Sequence, residues 1–274
     1  MSIRRRSRSL SATPACTSVG VGTKIGGSMR IAAIADVHGN ALALEAVLAH
    51  IRASAPDLIV NLGDLVSGPF DPARSTDMQI DLECPTIAGN HERQLLQGGT
   101  GLSDAFASPR LTGAHFEWMA SLPGTLELAD GQVFACHGSP AGGDLEYLLE
   151  DVSSGRPMLD AEEAILPRLA GIGKARLVLC AHTHIPRIAS AGSILIVNPG
   201  SVGMPGYRDT TPVPHVMEAG APHARYAIVE SLADGWAAEL RAVPYDFEAA
   251  ARQAEQAGRH DVAYSVRTGR MPPA

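Results

Sequence analysis

Residues 29–40 read Met-Arg-Ile-Ala-Ala-Ile-Ala-Asp-Val-His-Gly-Asn. The apolar run ending at Ala35 stops abruptly at Asp36, and His38, Gly39 and Asn40 follow. A short apolar run closed by a Gly-containing break reads as a buried strand, predicted over 30–35. Its carboxyl end then carries a carboxylate and an imidazole, and in open α/β sheets ligands gather at the carboxyl ends of strands. A helical pattern from Ala41 to Ala53, with Leu42, Val47, Leu48 and Ile51 among its apolar positions, completes a strand–loop–helix unit.

The same break recurs downstream in Asn61-Leu-Gly63-Asp64, Ala-Gly89-Asn90-His91-Glu92, Cys-His137-Gly138 and Ala-His182-Thr-His184. The chain has 10 histidines, and His38, His91, His137, His182 and His184 all fall in these motifs. Singly, each motif has an ordinary explanation: Gly63-Asp64 as a turn, Asn90 as a helix cap, His182 and His184 as a surface pair. In order, each ending an apolar run, they read as a metal site with mixed nitrogen and oxygen ligands. Two carboxylates, an amide and this many imidazoles exceed the roughly three protein ligands of one catalytic zinc. Two ions about 3.5–4 Å apart, sharing a carboxylate, would use them all. Gly39, Gly63, Gly89 and Gly138 suit sharp backbone turns beside a crowded centre.

Further strands are predicted over 58–61, 85–88, 176–181, 193–197, 225–230 and 236–243, with a hairpin over 125–136 turning at Asp130-Gly131. Helices are predicted over 91–97, 114–121 and 246–256, and over 144–173 with a break at Gly155-Arg156-Pro157. A Pro-rich loop fills the stretch up to 224. The pattern predicts an α/β fold of packed sheets flanked by helices. One domain spans 29–257 with variable cap-like insertions, between a disordered extension over 1–28 and a flexible tail over 258–274. Met29 is expected to be the natural start. The glycine-rich run Gly20 to Gly27 precedes the first strand, whereas a phosphate-cradling loop must follow a strand and open a helix.

Composition narrows the function. The 274 residues are 45% hydrophobic, enough for a large core, and no apolar run nears the roughly 18–20 residues of a spanning helix. No membrane partner is therefore expected. Net charge is −7, yet residues 1–28 hold five basic and no acidic side chains, so the body is more acidic still. That excludes a broad electrostatic grip on nucleic acid, and an acidic body handling an anionic substrate needs a cation's help. The four cysteines form no C-x-x-C pair, which argues against a cysteine zinc site or a disulfide framework and for a reducing, cytoplasmic setting. A homo-oligomer is compatible with all of this.

The ordered set Asp36-x-His38, Gly63-Asp64, Gly89-Asn90-His91-Glu92, His137-Gly138 and Ala181-His182-Thr183-His184 resembles the calcineurin-like metallophosphoesterase superfamily. Asn198-Pro199-Gly200-Ser201-Val202-Gly203 is similar to its small prokaryotic phosphodiesterase branch. The resemblance runs from Met29 to Gly203. It implies a four-layer α/β/β/α sandwich of two mixed sheets and two divalent ions, commonly manganese, iron, zinc or nickel. It also implies that Asp36, His38 and His184 hold one ion, that Asn90, His137 and His182 hold the other, and that Asp64 bridges them. His91 would stand over the substrate as a proton donor. A small phosphoester would then be opened by in-line attack of a hydroxide shared by both ions. The sequence departs from the pattern at Ala181, where the family more often has glycine; no ligand is lost.

Glu92 is expected to orient an imidazole. Arg93, Tyr207 and Arg208 are candidate substrate contacts, since arginine suits bidentate phosphate recognition. Asn40 would touch phosphate or cap the helix at Ala41, with the cap favoured. His50, His115, His215, His223 and His260 are expected to be structural or solvated. Selectivity between phosphodiesters, phosphomonoesters and nucleotide pyrophosphates lies in 66–84, 98–128, 140–175 and 204–224, which carry no readable code. A metal-dependent amidohydrolase would place its His-x-His pair on the first strand, where Asp36-x-His38 stands instead. A non-catalytic scaffold or sensor would be expected to lose Asp64, Asn90 or His91, and all three are present.

Overall fold

The computed structural model describes residues 28–273 and, as backbone strand, residues 17–18. What is expected of the other residues of 1–28 lies outside the described residues. In chain order the strands are β1 (Thr17–Ser18), β2 (Arg30–Ile34), β3 (Leu58–Asn61), β4 (Thr125–Leu128), β5 (Val133–Cys136), β6 (Glu150–Asp151) and β7 (Met158–Leu159). They continue with β8 (Leu177–Leu179), β9 (Arg187–Ala191), β10 (Ile194–Asn198), β11 (Gly206–Asp209), β12 (His215–Glu218), β13 (Ala224–Leu232) and β14 (Gly235–Val243). The helices are α1 (Ala41–Ser54), α2 (Pro72–Asp81), α3 (Asn90–Leu96), α4 (Leu102–Ala107), α5 (Gly113–Ser121), α6 (Glu162–Arg168), α7 (Phe247–Gln256) and α8 (His260–Thr268).

One mixed sheet has the order β14-β13-β2-β3, the other β1-β4-β5-β8-β10-β9. Side chains alternate across a strand, so each sheet buries both faces differently. Ile31 and Ala33 of β2 and Val60 of β3 point between the sheets, against Leu126, Val133, Leu177 and Val197. Ala32 and Ile34 point outward, onto Leu44, Val47, Leu48 and Ile51 of α1. Phe134, Val178 and Ile196 do the same for the second sheet, against Ile165 of α6. The layers are therefore α/β/β/α. Leu44 is fully buried in this packing, and truncating it to alanine would cost about 2–5 kcal/mol.

Register sets the site. β2 and β3 run parallel with Ile34 opposite Asn61, so the segments leading to Asp36 and Asp64 leave the sheet side by side. β5 and β8 are parallel with Ala135 opposite Leu179, which brings the loops of His137 and His182 together on the second sheet.

The structure corrects the sequence reading in several places. The strand predicted over 85–88 is a single bridge at Thr86, α2 and α4 are unpredicted, and β1 lies within the extension expected to be disordered. The tail beyond 257 is not without order, because α8 packs Val262, Ala263 and Val266 on Ala250, Ala251 and Ala254 of α7, with Phe70 and Met204 beside them. The stretch 144–173 is helical only over Glu162–Arg168; Gly155, with φ +81°, turns a small β6–β7 hairpin instead. Part of the Pro-rich loop before 224 is a second hairpin, β11–β12, with Tyr207 opposite Met217. β9, unpredicted, pairs antiparallel with β10. No helix among the described residues is long and apolar enough to cross a membrane.

Candidate metal centre

Four strand ends and one helix start deliver the polar side chains. Asp36 and His38 follow β2, Asp64 follows β3, His137 follows β5, and His182 and His184 follow β8. Thr86 bridges to Asn61 and leads into α3, whose first residues are Asn90 and His91. Asp36, His38, Asp64, His182 and His184 all adopt left-handed backbone, at φ 54°, 49°, 55°, 70° and 60°. Such conformations cost about 1–3 kcal/mol each outside glycine and persist where the surroundings over-determine them. Here the surroundings are hydrogen bonds between the turns: Asp36 N–H donates to Gly63 O at 2.9 Å and His38 N–H to Asp64 O at 3.0 Å. Gly63 and Gly89 allow the turns to touch, since a Cβ on Gly63 would sit 2.5 Å from the Gly89 nitrogen.

The Asn198–Gly203 loop staples these turns from the far side. Asn198 Nδ2 donates to Ala181 O at 2.9 Å, and Ser201 Oγ donates to Asp36 O at 2.7 Å. Ala181, the departure from the family pattern, buries its methyl in the core between the sheets.

The ligating atoms fall into two groups, each with its atoms within 4.8 Å of one another: Asp36, His38, Asp64 and His184, and Asp64, His137 and His182. Asp64 belongs to both. Asn90 Oδ1 lies 3.2 Å from His137 Nε2, so it adjoins the second group. His38, His137 and His184 each direct Nδ1 at a backbone carbonyl, Ser67 O at 2.7 Å, Leu62 O at 2.7 Å and Met204 O at 2.5 Å. A carbonyl only accepts, so Nδ1 carries the proton, and in the neutral ring Nε2 keeps its lone pair, the arrangement of a metal-binding imidazole. His38 Nε2 and His184 Nε2 then face each other at 3.0 Å. Among the described residues neither oxygen of fully buried Asp36 has a hydrogen-bond partner. Opposed lone pairs beside an unpartnered carboxylate are costly unless a cation satisfies them. The donor set fits divalent transition metals.

The electrostatics divide the imidazoles: burial lowers the His137 pKa, but the Asp64 and Asp36 carboxylates outweigh it and push it up to about 10. Burial pushes the Asp36 carboxyl well above its usual range, with Asp64 adding to the shift. Burial acts on Asp64 likewise, but His137 and His91 outweigh it and hold that carboxyl well below its usual range. Burial pushes His38 down to about 4 and His182 down to about 3. These two rings are neutral donors at neutral pH.

His91 stands outside both groups. Its backbone N–H donates to Asp64 Oδ1 at 3.0 Å, and its Nδ1 lies 2.8 Å from Oδ1 of buried Asp104. Burial lowers its pKa, but the Asp64 and Asp104 carboxylates outweigh burial and push it up to about 9. Glu92 does not touch an imidazole. Its carboxylate accepts from the backbone N–H groups of Asp64, Leu65 and Gly89 at 2.8–2.9 Å, bracing the turn that carries Asp64.

A cavity of about 290 Å³ opens onto His38, Asp64, Asn90, His91, His182 and His184. Tyr207 and Arg208 also line it; Arg93 and Asn40 do not. Arg93, which does not line the cavity, makes a bidentate pair with Asp144 at 2.6 and 2.9 Å. Asn40 caps α1 through Ala43 N–H and gives its Nδ2 to Gly203 O, leaving it nothing for phosphate.

Sequence reasoning missed Asp104, Tyr147 and Arg259; His215, expected to be structural or solvated, is buried. Among the described residues His182 has no hydrogen bond on its ring nitrogens; the Tyr147 ring packs on it instead, centroids 5.2 Å apart. The Tyr147 hydroxyl lies 2.9 Å from His215 Nε2, and His215 Nδ1 donates to Val213 O at 2.7 Å. Tyr207 packs edge-on against His184 and donates its hydroxyl to His182 O. None of these residues lies in a local motif; only tertiary packing gathers them.

Residues 29–219 match the family model of the calcineurin-like phosphoesterase superfamily domain. An uncharacterised protein of Methanocaldococcus jannaschii is 26% identical over 201 residues, covering 64% of this chain and 76% of the relative. A crystal structure of a metallophosphoesterase from Sphaerobacter thermophilus superposes with TM-score 0.67 at 24% identity, covering 89% of this chain and 100% of that one. A hypothetical protein from Pyrococcus horikoshii OT3 superposes with TM-score 0.69 at 17% identity, with the same coverage of 89% and 100%. Both share the fold.

Proposed function

The chain belongs to the calcineurin-like phosphoesterase superfamily, and from that premise we propose that it is a phosphodiesterase working with two divalent metal ions. The observation that carries the reading is Asp64, which stands in both ligand groups and so can join two ions. Asp36, His38 and His184 would complete one site, and Asn90, His137 and His182 the other. Bound ions supply positive charge to the phosphoryl oxygens and acidify a water molecule near neutral pH. The chain does the rest. The carbonyl-locked imidazoles fix the direction of their lone pairs, and Glu92 keeps the Asp64 turn rigid. His91, held by Asp104, presents its other ring nitrogen to the cavity and gives a proton to the departing alkoxide. The ions also explain how an acidic protein handles an anionic substrate.

The substrate is a small phosphoester. The free thiols of Cys84, Cys136 and Cys180 support a reducing, cytoplasmic setting. Turnover of bis-p-nitrophenyl phosphate, p-nitrophenyl phosphate and a dinucleoside polyphosphate by manganese-loaded protein tests the reading. The diester should have the highest kcat/KM. Preference for the monoester or the polyphosphate would reassign the substrate on the same centre; hydrolysis of none would favour a metal-stabilised scaffold.

A further inference from the structure

The cavity wall facing the metal ligands is completed by a residue outside the matched family segment. Arg259 caps the start of α8 and lines the same cavity as His91 and Asp64. Its guanidinium is held in one orientation. Nε donates to Asp261 Oδ1 at 2.8 Å and one terminal nitrogen to Asp261 Oδ2 at 2.7 Å. The other terminal nitrogen donates to Ser103 Oγ at 3.2 Å. A guanidinium has five N–H donors, so these three bonds leave two without a partner among the described residues, on a side chain that is only 17% exposed.

Its position relative to the chemistry follows from α4. Ser103 holds Arg259, and the next residue, Asp104, holds His91. Arg259 and His91 thus line one cavity and are both anchored to α4. Arg208 also lines the cavity, with one terminal nitrogen donating to Pro272 O. The acidic Asp209 on the same wall turns its Oδ1 onto the backbone N–H groups of Thr210 and Thr211.

We propose that Arg259, with Arg208, forms a subsite for a second phosphate group, so that the preferred substrates are phosphoesters carrying one phosphate at the ions and another several bonds away. The proposal rests on the phosphoesterase reading of this cavity. Asp261 occupies the Nε-side fork and offsets part of the Arg259 charge, so the subsite confers a preference through the remaining N–H groups. An arginine that merely braced α8 against α4 would leave substrate preference untouched.

Thymidine 5′-(p-nitrophenyl phosphate) and its 3′-phosphorylated derivative differ only in the distal phosphate, and both release p-nitrophenol. Manganese-loaded wild-type protein should favour the 3′-phosphorylated ester by about tenfold or more in kcat/KM, the scale of a charge-assisted hydrogen bond. Arg259→Gln should bring the ratio of the two close to one, and Arg259→Lys should keep an intermediate ratio. Equal kcat/KM for the two esters in the wild type overturns the subsite, however the variants fold. A preference that survives unchanged in Arg259→Gln also overturns it. Failure of the wild type to cleave either ester, with metal bound, counts instead against the phosphoesterase reading itself.

Discussion

His38 and His184 meet Nε2 to Nε2 at 3.0 Å, each with its Nδ1 turned onto a backbone carbonyl. Two buried lone pairs so placed mark where a cation belongs. A cation there strengthens the fold, because an ion that binds only the native state stabilises it by mass action. Chelation should therefore lower the melting temperature, and manganese or zinc should restore it. At a free metal concentration about 100 times the dissociation constant, one site contributes roughly 2.7 kcal/mol. Superimposable melting curves with and without chelator would count against any ion binding here.

Asp64 stands in both candidate ligand groups, so its loss should not be local. Asp64→Asn should reduce the content of both ions together, measured by elemental analysis of the purified protein. Asp36→Asn, touching one group only, should spare one ion. Equal and partial losses in the two variants would remove the special place given to Asp64.

His91 lies outside both ligand groups and is oriented by Asp104. His91→Ala should keep full metal content and lower kcat by about 10²–10⁴-fold, the range of general acid–base assistance. Asp104→Asn should give a smaller loss, again with metal retained. If His91→Ala emptied a site, His91 would be a ligand and the assignment wrong.

His182 depends on Tyr147 for its orientation, and Tyr147 on His215. Tyr147→Phe keeps the ring on His182 but orphans His215 Nε2, at a cost of about 1–3 kcal/mol in thermal or urea unfolding. Metal content should stay at the parent level. Tyr147→Ala removes the ring itself and should weaken one site alone, readable as biphasic cobalt titration followed by visible absorption. A single unchanged affinity for both sites in Tyr147→Ala would separate Tyr147 from the centre.

The cluster of candidate ligands was legible in the sequence because Asp36, Asp64, His137 and His182 follow apolar runs and betrayed their strand ends by the abruptness of the break. The two-sheet core was legible for the same reason: β2 and β8 are too apolar to lie anywhere but inside. The surroundings were not. Asp104 reaches His91 from a helix in a stretch without periodicity, and Tyr147 reaches His182 from between secondary-structure elements. Helix α8 escaped because its inner face is built from Val262, Ala263 and Val266, too small to raise a strong apolar signal. Arg93 read as a free donor in one dimension, yet its partner Asp144 is distant in sequence; Asn40 is the helix cap the sequence favoured, with Gly203 as a further, distant partner.

Crystals of the manganese-loaded protein, measured for anomalous scattering, put the two-ion arrangement to the test. Two peaks about 3.5–4 Å apart should flank the Asp64 carboxylate. One should lie among Asp36, His38 and His184, and the other among Asn90, His137 and His182. A single peak that left His137 and His182 uncoordinated, or no peak beside Asp64 at all, would contradict it.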